Sequence, residues 1–230
     1  MKKLELECMK IADITSVISS EELKIVSKIL PEKNIKLLPY TRKIKKTKMS
    51  FEDRKDLMFI GSYNHPPNVD AALYFGLSVM PLLRKKVSNI NFFIVGSNPS
   101  KEILDLECED IKVLGFVDKV LPIMNQIKIS VVPLRFGAGI KGKIGSAMAA
   151  GLPVISTSIG AEGMSTVDNE NILIADTPEE FCDQINKLYF DSKLWNKISQ
   201  KGLDLANENW GVEKGYENLA NVLSSISFEI

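Results

Sequence analysis

The sequence predicts an α/β fold, a doubly wound parallel sheet, on two observations. Short apolar runs rich in Ile and Val recur at residues 14–18, 35–38, 57–60, 91–95, 111–114, 129–132, 153–156 and 171–174. They are continuous rather than alternating, the pattern of parallel strands covered on both faces. Segments of helical spacing separate most of them, and that alternation builds right-handed βαβ units.

The helices follow from local signals. Asn68 is placed to cap a helix over residues 69–87, after the helix-resistant pair Pro66 and Pro67. Residues 141–150 read as a helix stopped by Gly151 and Pro153. Pro178 sits at the first position of a helix reaching Tyr189, with Thr177 as its cap. The tail over residues 194–223 reads as two amphipathic helices broken near residues 209–211. Trp195 and Trp210 fall on helical stripes and are expected in the core rather than as a ligand platform, and the cysteines are read as packing residues.

A boundary is expected in the stretch 40–55, where Arg42, Lys43, Lys45, Lys46 and Lys48 crowd together without a period. The stretch reads either as a solvated linker or as a patch for a membrane surface or a phosphate. The domains expected are therefore residues 1–40, too few elements to make a domain alone; a linker at 41–55; and an α/β domain with C-terminal helices at 56–230.

Composition bounds the rest. With 230 residues, 45% of them hydrophobic, the chain can bury a core without disulfides or metals. A formal net charge of zero offers no global field for nucleic acid, so no nucleic-acid partner is expected. Three scattered cysteines without a CxxC pair fit a reducing cytoplasmic compartment. The opening residues turn charged at once, unlike a signal peptide, and no apolar run reaches the ~20 residues of a membrane span. A single histidine and no Cys/His cluster speak against a protein-built zinc site, and no metal or cofactor is expected.

Candidate chemistry lies in loops after the carboxyl ends of the strands, the edge where open parallel sheets bind ligands. They are residues 61–68, 96–99, 115–118 and 135–143, with a fifth at 158–163. The fourth is glycine-rich (Gly137, Gly139, Gly142), carries Arg135, Lys141 and Lys143, and opens a helix. Amides and the positive end of a helix dipole, beside two lysines, suit a diphosphate; a flexible turn with solvated lysines is the bland alternative. The same glycines imitate a dinucleotide fingerprint, with Glu162 as its acid. That reading is set aside because the fingerprint belongs to the first strand of its domain, and here strands of the same sheet precede it. His65 is either a general base or a loop histidine packing locally. Glu162 is either a contact for a hydroxylated ligand or a solvated loop acid.

Four ordered blocks resemble one family. Residues 59–71 (Phe-Ile-Gly-Ser-Tyr-Asn-His-Pro-Pro-Asn-Val-Asp-Ala), 93–99 (Phe-Ile-Val-Gly-Ser-Asn-Pro), 133–155 with its Gly-Ala-Gly-Ile-Lys-Gly-Lys loop and Ala-Met-Ala-Ala-Gly-Leu-Pro run, and 160–163 (Gly-Ala-Glu-Gly) resemble the donor domain of bacterial family 4 glycosyltransferases. The resemblance covers roughly residues 12–223. It implies the GT-B fold, two facing Rossmann-like domains, with this chain carrying the C-terminal, sugar-nucleotide-binding one and, in residues 1–40, a remnant of the N-terminal domain. It implies retaining, metal-independent transfer from a UDP- or GDP-sugar to a cell-envelope, glycan or lipid-linked acceptor. The acceptor would be held by an N-terminal domain, and the work would be done in the cytoplasm, at the inner face of the membrane with a peripheral contact.

By the same resemblance, Lys141 and Lys143 are the catalytic cations that stabilise the departing diphosphate. Gly61, Ser62, Asn64, Gly96, Phe116, Val117, Arg135, Gly137, Gly139, Ser146, Glu162 and Gly163 are the donor-binding residues, with Gly96, Phe116 and Val117 bordering the base. Two departures stand out. Ser62 and Pro67 replace an Arg and Lys pair that many members carry in the first loop. Ser146, with Gly137 or Ala138, replaces a pair of glutamates in the fourth. On this reading the 230-residue chain alone binds nucleotide weakly and transfers little or no sugar. The rival expectations are a non-catalytic nucleotide-sugar-binding module and a GT-B-like sugar-nucleotide epimerase, whose acid and base a single histidine supplies poorly.

Overall fold

The computed structural model describes residues 2–45 and 50–225. Their contacts separate two units: residues up to Ile44 together with those from Asn207 onward, and residues from Lys45 to Ala206.

The first unit holds α1 (Lys2–Ile11), β1 (Thr15–Val17), α2 (Ser20–Ile29) and β2 (Ile35–Leu37), with β1 and β2 paired in parallel. Ser19 caps α2 by accepting from the Glu22 amide at 3.0 Å, and Glu22 returns a bond to the Ile18 amide. Residues from the tail belong here too. The Arg42 amide donates to the Trp210 carbonyl, and Asn34 reaches Ser225 at 3.4 Å. The sequence grouped the whole tail with the sheet domain; the structure groups Asn207 onward with the first unit, because the tail's packing partners include Thr41, beside which Gly215 leaves no room for a Cβ. Of the basic stretch, Lys43 and Lys45 are exposed and Arg42 half-buried; Lys46, Thr47 and Lys48 lie outside the described residues.

The second unit is a six-stranded parallel sheet in the order β5-β4-β3-β6-β7-β8. Its strands are β3 (Lys55–Ile60), β4 (Phe92–Val95), β5 (Ile111–Gly115), β6 (Ile127–Val132), β7 (Val154–Ser156) and β8 (Leu173–Ile174). Each expected strand is present. β6 is buried along its whole length, as a central strand covered on both faces must be. Because β4 and β5 lie to one side of β3 and β6 to the other, the winding reverses between β3 and β6.

The helix after β3 departs from expectation. α3 (Pro66–Tyr74) begins at the prolines themselves, at its first two positions, where a missing N–H costs nothing. His65 holds the N-cap position, and Asn68 sits inside the first turn instead of capping it. A π-helical turn, Phe75–Val79, then leads into α4 (Met80–Leu83). Pro81 cannot donate to an α-helical ladder, and the wide turn ahead of it, with the Met80 amide bonded to the Phe75 carbonyl, takes up the break.

Four elements connect the remaining strands: α5 (Lys101–Leu104), α6 (Leu121–Gln126), α7 (Gly142–Ala149) and α8 (Ser158–Ala161). α9 (Pro178–Phe190) follows, with the complete Thr177/Glu180 capping box, then α10 (Ser192–Trp210) and α11 (Val212–Ser224), broken at Gly211.

The core centres on Phe75, Phe92 and Phe181, with Phe75 4.5 Å from Phe92 and 5.8 Å from Phe181 between ring centroids. Trp195 and Trp210 are both buried, and the Trp195 indole donates to the Lys128 carbonyl at 2.8 Å. Cys182 is a packing residue, but Cys8 and Cys108 are exposed, since they lie on a solvent-facing helix and in the turn before β5. The stretch before β3 is not wholly solvated. Phe51 packs edge-on against Trp195, and Arg54 is buried, donating to the carbonyls of Met124 and Ile127 at 3.0 Å. Its guanidinium lies over Trp195, and burial pushes it down to about 10. Among the described residues no helix is long and apolar enough to cross a membrane.

Candidate functional site

The carboxyl ends of β3, β4, β5 and β6 all open on the point where the winding reverses, the place where doubly wound sheets leave a crevice. Two cavities lie there. The larger, about 430 Å³, is walled by Gly61, Ser62 and Asn68 after β3, Gly96 and Ser97 after β4, Phe116, Val117 and Val120 after β5, and Lys143 and Ser146 on α7. The smaller, about 150 Å³, takes His65, Pro67, Phe136, Gly137 and Lys141. Asn68 and Lys143 line both.

Backbone contact shapes the crevice. Gly96 has φ +144°, and a Cβ there would stand 1.6 Å from the Gly61 carbonyl oxygen, so two strand ends close together only with glycine. Gly137, with φ +121°, lies against Pro67 in the same way, a Cβ there falling 3.3 Å from the ring. At the other end, the Phe116 ring is 72% exposed yet forms a wall of the larger cavity, a free face on which a planar group can stack.

Two lysines supply the charge. Lys141 occupies the N-cap position of α7, is buried, and donates to the Gly137 carbonyl at 3.0 Å. Burial lowers its proton affinity, and Glu162 partly restores it. Lys143, two residues further along in the first turn, is half-buried and donates to Asn68 Oδ1 at 2.5 Å, with its ammonium 4.5 Å from the centre of the Phe59 ring. Burial, then the neighbouring Lys141, pushes Lys143 down to about 8. Neither lysine is in a salt bridge among the described residues. Two cations beside a helix N-terminus, held by neutral acceptors, form a pocket of positive charge fitted to an anion.

The remaining expected residues divide. Gly61, Ser62, Gly96, Phe116, Val117, Ser146, Lys143, Gly137 and Lys141 come together in the two cavities. Asn64, Gly139, Glu162 and Gly163 wall neither, although Glu162 acts on Lys141 through its charge. Arg135 turns away: it makes a two-pronged ion pair with Asp70, its Nε 2.9 Å from Oδ2, and lies over the Tyr74 ring. It shares one glycine loop with the lysines, which is why the sequence groups them, but its guanidinium pairs with Asp70 on α3. Asn68, Ser97 and Val120 are cavity residues that the sequence did not single out as such. By residue type Asn68 reads as a cap, and the two prolines before it are the signal that it falls inside the helix.

Ser97 Oγ donates to Ser62 Oγ at 3.3 Å, tying the first and second loops. Ser146, where many relatives of the resembled family have an acid, donates instead to the Gly142 carbonyl at 3.0 Å. No group of three His, Cys, Asp or Glu side chains able to hold a metal ion occurs among the described residues.

With the geometry in place, comparison with known proteins is informative. Residues 54–191 match the family model described as Glycosyl transferases group 1. A Klebsiella pneumoniae protein described as an uncharacterized 44.6 kDa protein in the cps region is 24% identical over 173 residues, which is 71% of this chain and 45% of that protein. Among solved structures, Staphylococcus aureus TarM in a complex that includes UDP superposes with a TM-score of 0.78 at 19% identity, over 96% of this chain and 46% of TarM. Anabaena HepE in complex with UDP and glucose superposes with a TM-score of 0.76 at 16% identity, over 98% of this chain and 68% of HepE. The C-terminal domain of the group 1 glycosyl transferase LpcC from Francisella tularensis covers 74% of this chain with a TM-score of 0.59. The chain spans about half the length of the Klebsiella relative and of TarM. The match to the family model runs over more than half of the chain and takes in every strand of the sheet unit, and the sheet is that of the Rossmann-like domains of GT-B enzymes. The chain therefore belongs to the group 1 glycosyltransferases, with the GT-B fold.

Proposed function

We propose that the crevice at the switch point binds a nucleoside-diphosphate sugar, a UDP- or GDP-sugar, as donor for glycosyl transfer. The observation that carries this is the pair Lys141 and Lys143 at the start of α7, facing two adjoining cavities and, among the described residues, in no salt bridge. The base stacks at Phe116 beside Val117, the diphosphate lies against α7, and the sugar extends into the smaller cavity past His65 and Phe136. UDP in the TarM and HepE complexes supports the choice of nucleotide, and glucose in the same HepE complex supports a sugar as part of the ligand.

The chemistry asked of these residues is electrostatic. As the bond from the anomeric carbon to the phosphate oxygen breaks, its electron pair stays on the diphosphate. Lys141, Lys143 and the first turn of α7 meet that charge, which lets departure proceed without a bound metal. Transfer with retention, to a cell-envelope, glycan or lipid-linked acceptor at the cytoplasmic face of the membrane, completes the proposal; the cps-region relative supports the envelope setting. The acceptor is assigned to a further domain, as the chain spans about half of those relatives, and little or no transfer is expected from residues 1–230 alone. One observation favours a binding module without turnover instead, namely Ser146 and Gly137 or Ala138 in place of glutamates.

Calorimetric titration of UDP and GDP against the wild type and the Lys141→Ala/Lys143→Ala variant tests the site. A loss on the order of 1.5–3 kcal/mol per charge-assisted contact is expected. Equal affinities would remove the lysines from the site. Binding without transfer when an acceptor domain is supplied would leave the binding-module reading.

A further inference from the structure

The first loop and α7 are joined through a single amide. Asn68 is buried; its Nδ2 donates to the Ser62 carbonyl at 2.8 Å and its Oδ1 accepts from Lys143 Nζ at 2.5 Å. Gly61 packs so closely on it that a Cβ at residue 61 would lie 2.7 Å from the amide, which leaves the Asn68 side chain little freedom. Asn68 is also one of the two residues common to both cavities; the other is Lys143.

We propose that Asn68 is a positioning residue that aims the Lys143 ammonium at the diphosphate of a bound donor while leaving its charge uncancelled. This rests on the donor-site reading above. A neutral amide oxygen satisfies one of the three ammonium donors and fixes its direction, yet the positive charge remains available to an anion. A carboxylate at the same place would hold the ammonium and neutralise it. An apolar side chain there would leave a half-buried ammonium without its acceptor and favour loss of the proton. Among the described residues, the other groups acting on Lys143 are Lys141, whose charge opposes it, and the Phe59 ring. Glu162 acts on Lys141, and His65 walls the smaller cavity.

The test compares the wild-type chain with Asn68→Asp and Asn68→Leu, each also in a Lys143→Gln background. The Lys143 side chain, assigned through Lys143→Gln, is titrated by NMR, and UDP affinity is measured by calorimetry. Wild-type Lys143 should titrate near the value of about 8 that burial sets. It should titrate lower in Asn68→Leu and higher in Asn68→Asp. UDP binding at neutral pH should weaken about tenfold in both variants, and the further loss caused by Asn68→Leu should be smaller once Lys143 is Gln.

The opposite movements are decisive. Both variants lose the bond to Ser62, so a merely structural role would weaken binding in each without moving the Lys143 titration in opposite directions. Should Lys143 titrate alike in all three proteins, the proposal is overturned. Asn68→Asp is isosteric, and Asn68→Ala supplies the apolar arm if the Leu variant does not fold. Absence of UDP and GDP binding by the wild type, with the Lys143 shifts intact, overturns the donor-site reading and leaves the Asn68–Lys143 coupling standing.

Discussion

The sheet of the second unit has a cavity at each edge, and the larger of the two edges' cavities is not where the function is proposed. At the amino edge, Arg84, Asn91, Cys108 and Asp110 border about 680 Å³. At the carboxyl edge the cavities measure about 430 and 150 Å³. The charges separate them. Arg84 is bound to both oxygens of Asp110 at 2.6 and 2.7 Å, and the guanidinium holds that carboxyl below its usual range. Among the described residues, the hydrogen-bond acceptors of Lys141 and Lys143 are a carbonyl and an amide oxygen, and neither lysine is in a salt bridge. At the amino edge the one arginine is met by a carboxylate, with Glu109 alongside. The carboxyl edge keeps positive charge in half-buried surroundings, at the cost of lowered proton affinity, and that is an arrangement an anion relieves. The proposal therefore rests on charge held by neutral acceptors and not on room.

The largest expected effect tests the backbone of the carboxyl edge. Gly96→Ala places a Cβ 1.6 Å from the Gly61 carbonyl oxygen at a φ of +144°. Denaturant unfolding should show a loss of about 3 kcal/mol or more, the range for strain that packing cannot absorb. A loss under about 1 kcal/mol would mean that the two strand ends can part.

A second substitution tests the charge. Lys143 has an ordinary value of 10.5, as in the unfolded chain, and about 8 in the fold. Between those values the unfolded chain binds more protons, so this group's contribution to stability rises with pH across about 8 to 10.5, and the penalty is fully present below 8. Lys143→Met should therefore be more stable than the wild type at pH 7, on the order of 2 kcal/mol, with the gap closing towards pH 10.5. A pH-independent gap would mean that Lys143 is not held in this state.

The smallest effect belongs to the amino edge. Asp110→Ala breaks an ion pair whose side chains are 42% and 23% exposed, and should cost about 0–1 kcal/mol. UDP affinity should stay as in the wild type. A marked fall in affinity would erase the contrast between the edges.

The sheet was legible because apolar β-rich runs bounded by Gly, Pro and Ser leave little else for a chain to do at those places. The loops at its carboxyl edge were legible for the same reason, since they follow strand ends. Side-chain direction was not. Arg135 and Lys141 share one loop, yet Asp70 draws the first outward while the Gly137 carbonyl holds the second inward. Asn68 reads as a cap by residue type, and only the register set by prolines at the first two helical positions turns it into the crevice. The π-helical turn before Pro81 and the buried Arg54 were likewise invisible, because each answers a tertiary demand and leaves no periodic trace.

The stacked layer at the start of the sheet unit has a practical consequence. Lys128 lies 3.6 Å above Phe51, Phe51 meets Trp195 edge-on, and Arg54 covers Trp195, while Trp210 is buried in the other unit. Each unit thus holds one of the chain's two indoles. Replacing either by Phe leaves a single emitter, so the fluorescence of the Trp210→Phe protein follows the melting of the sheet unit, and that of Trp195→Phe follows the other unit.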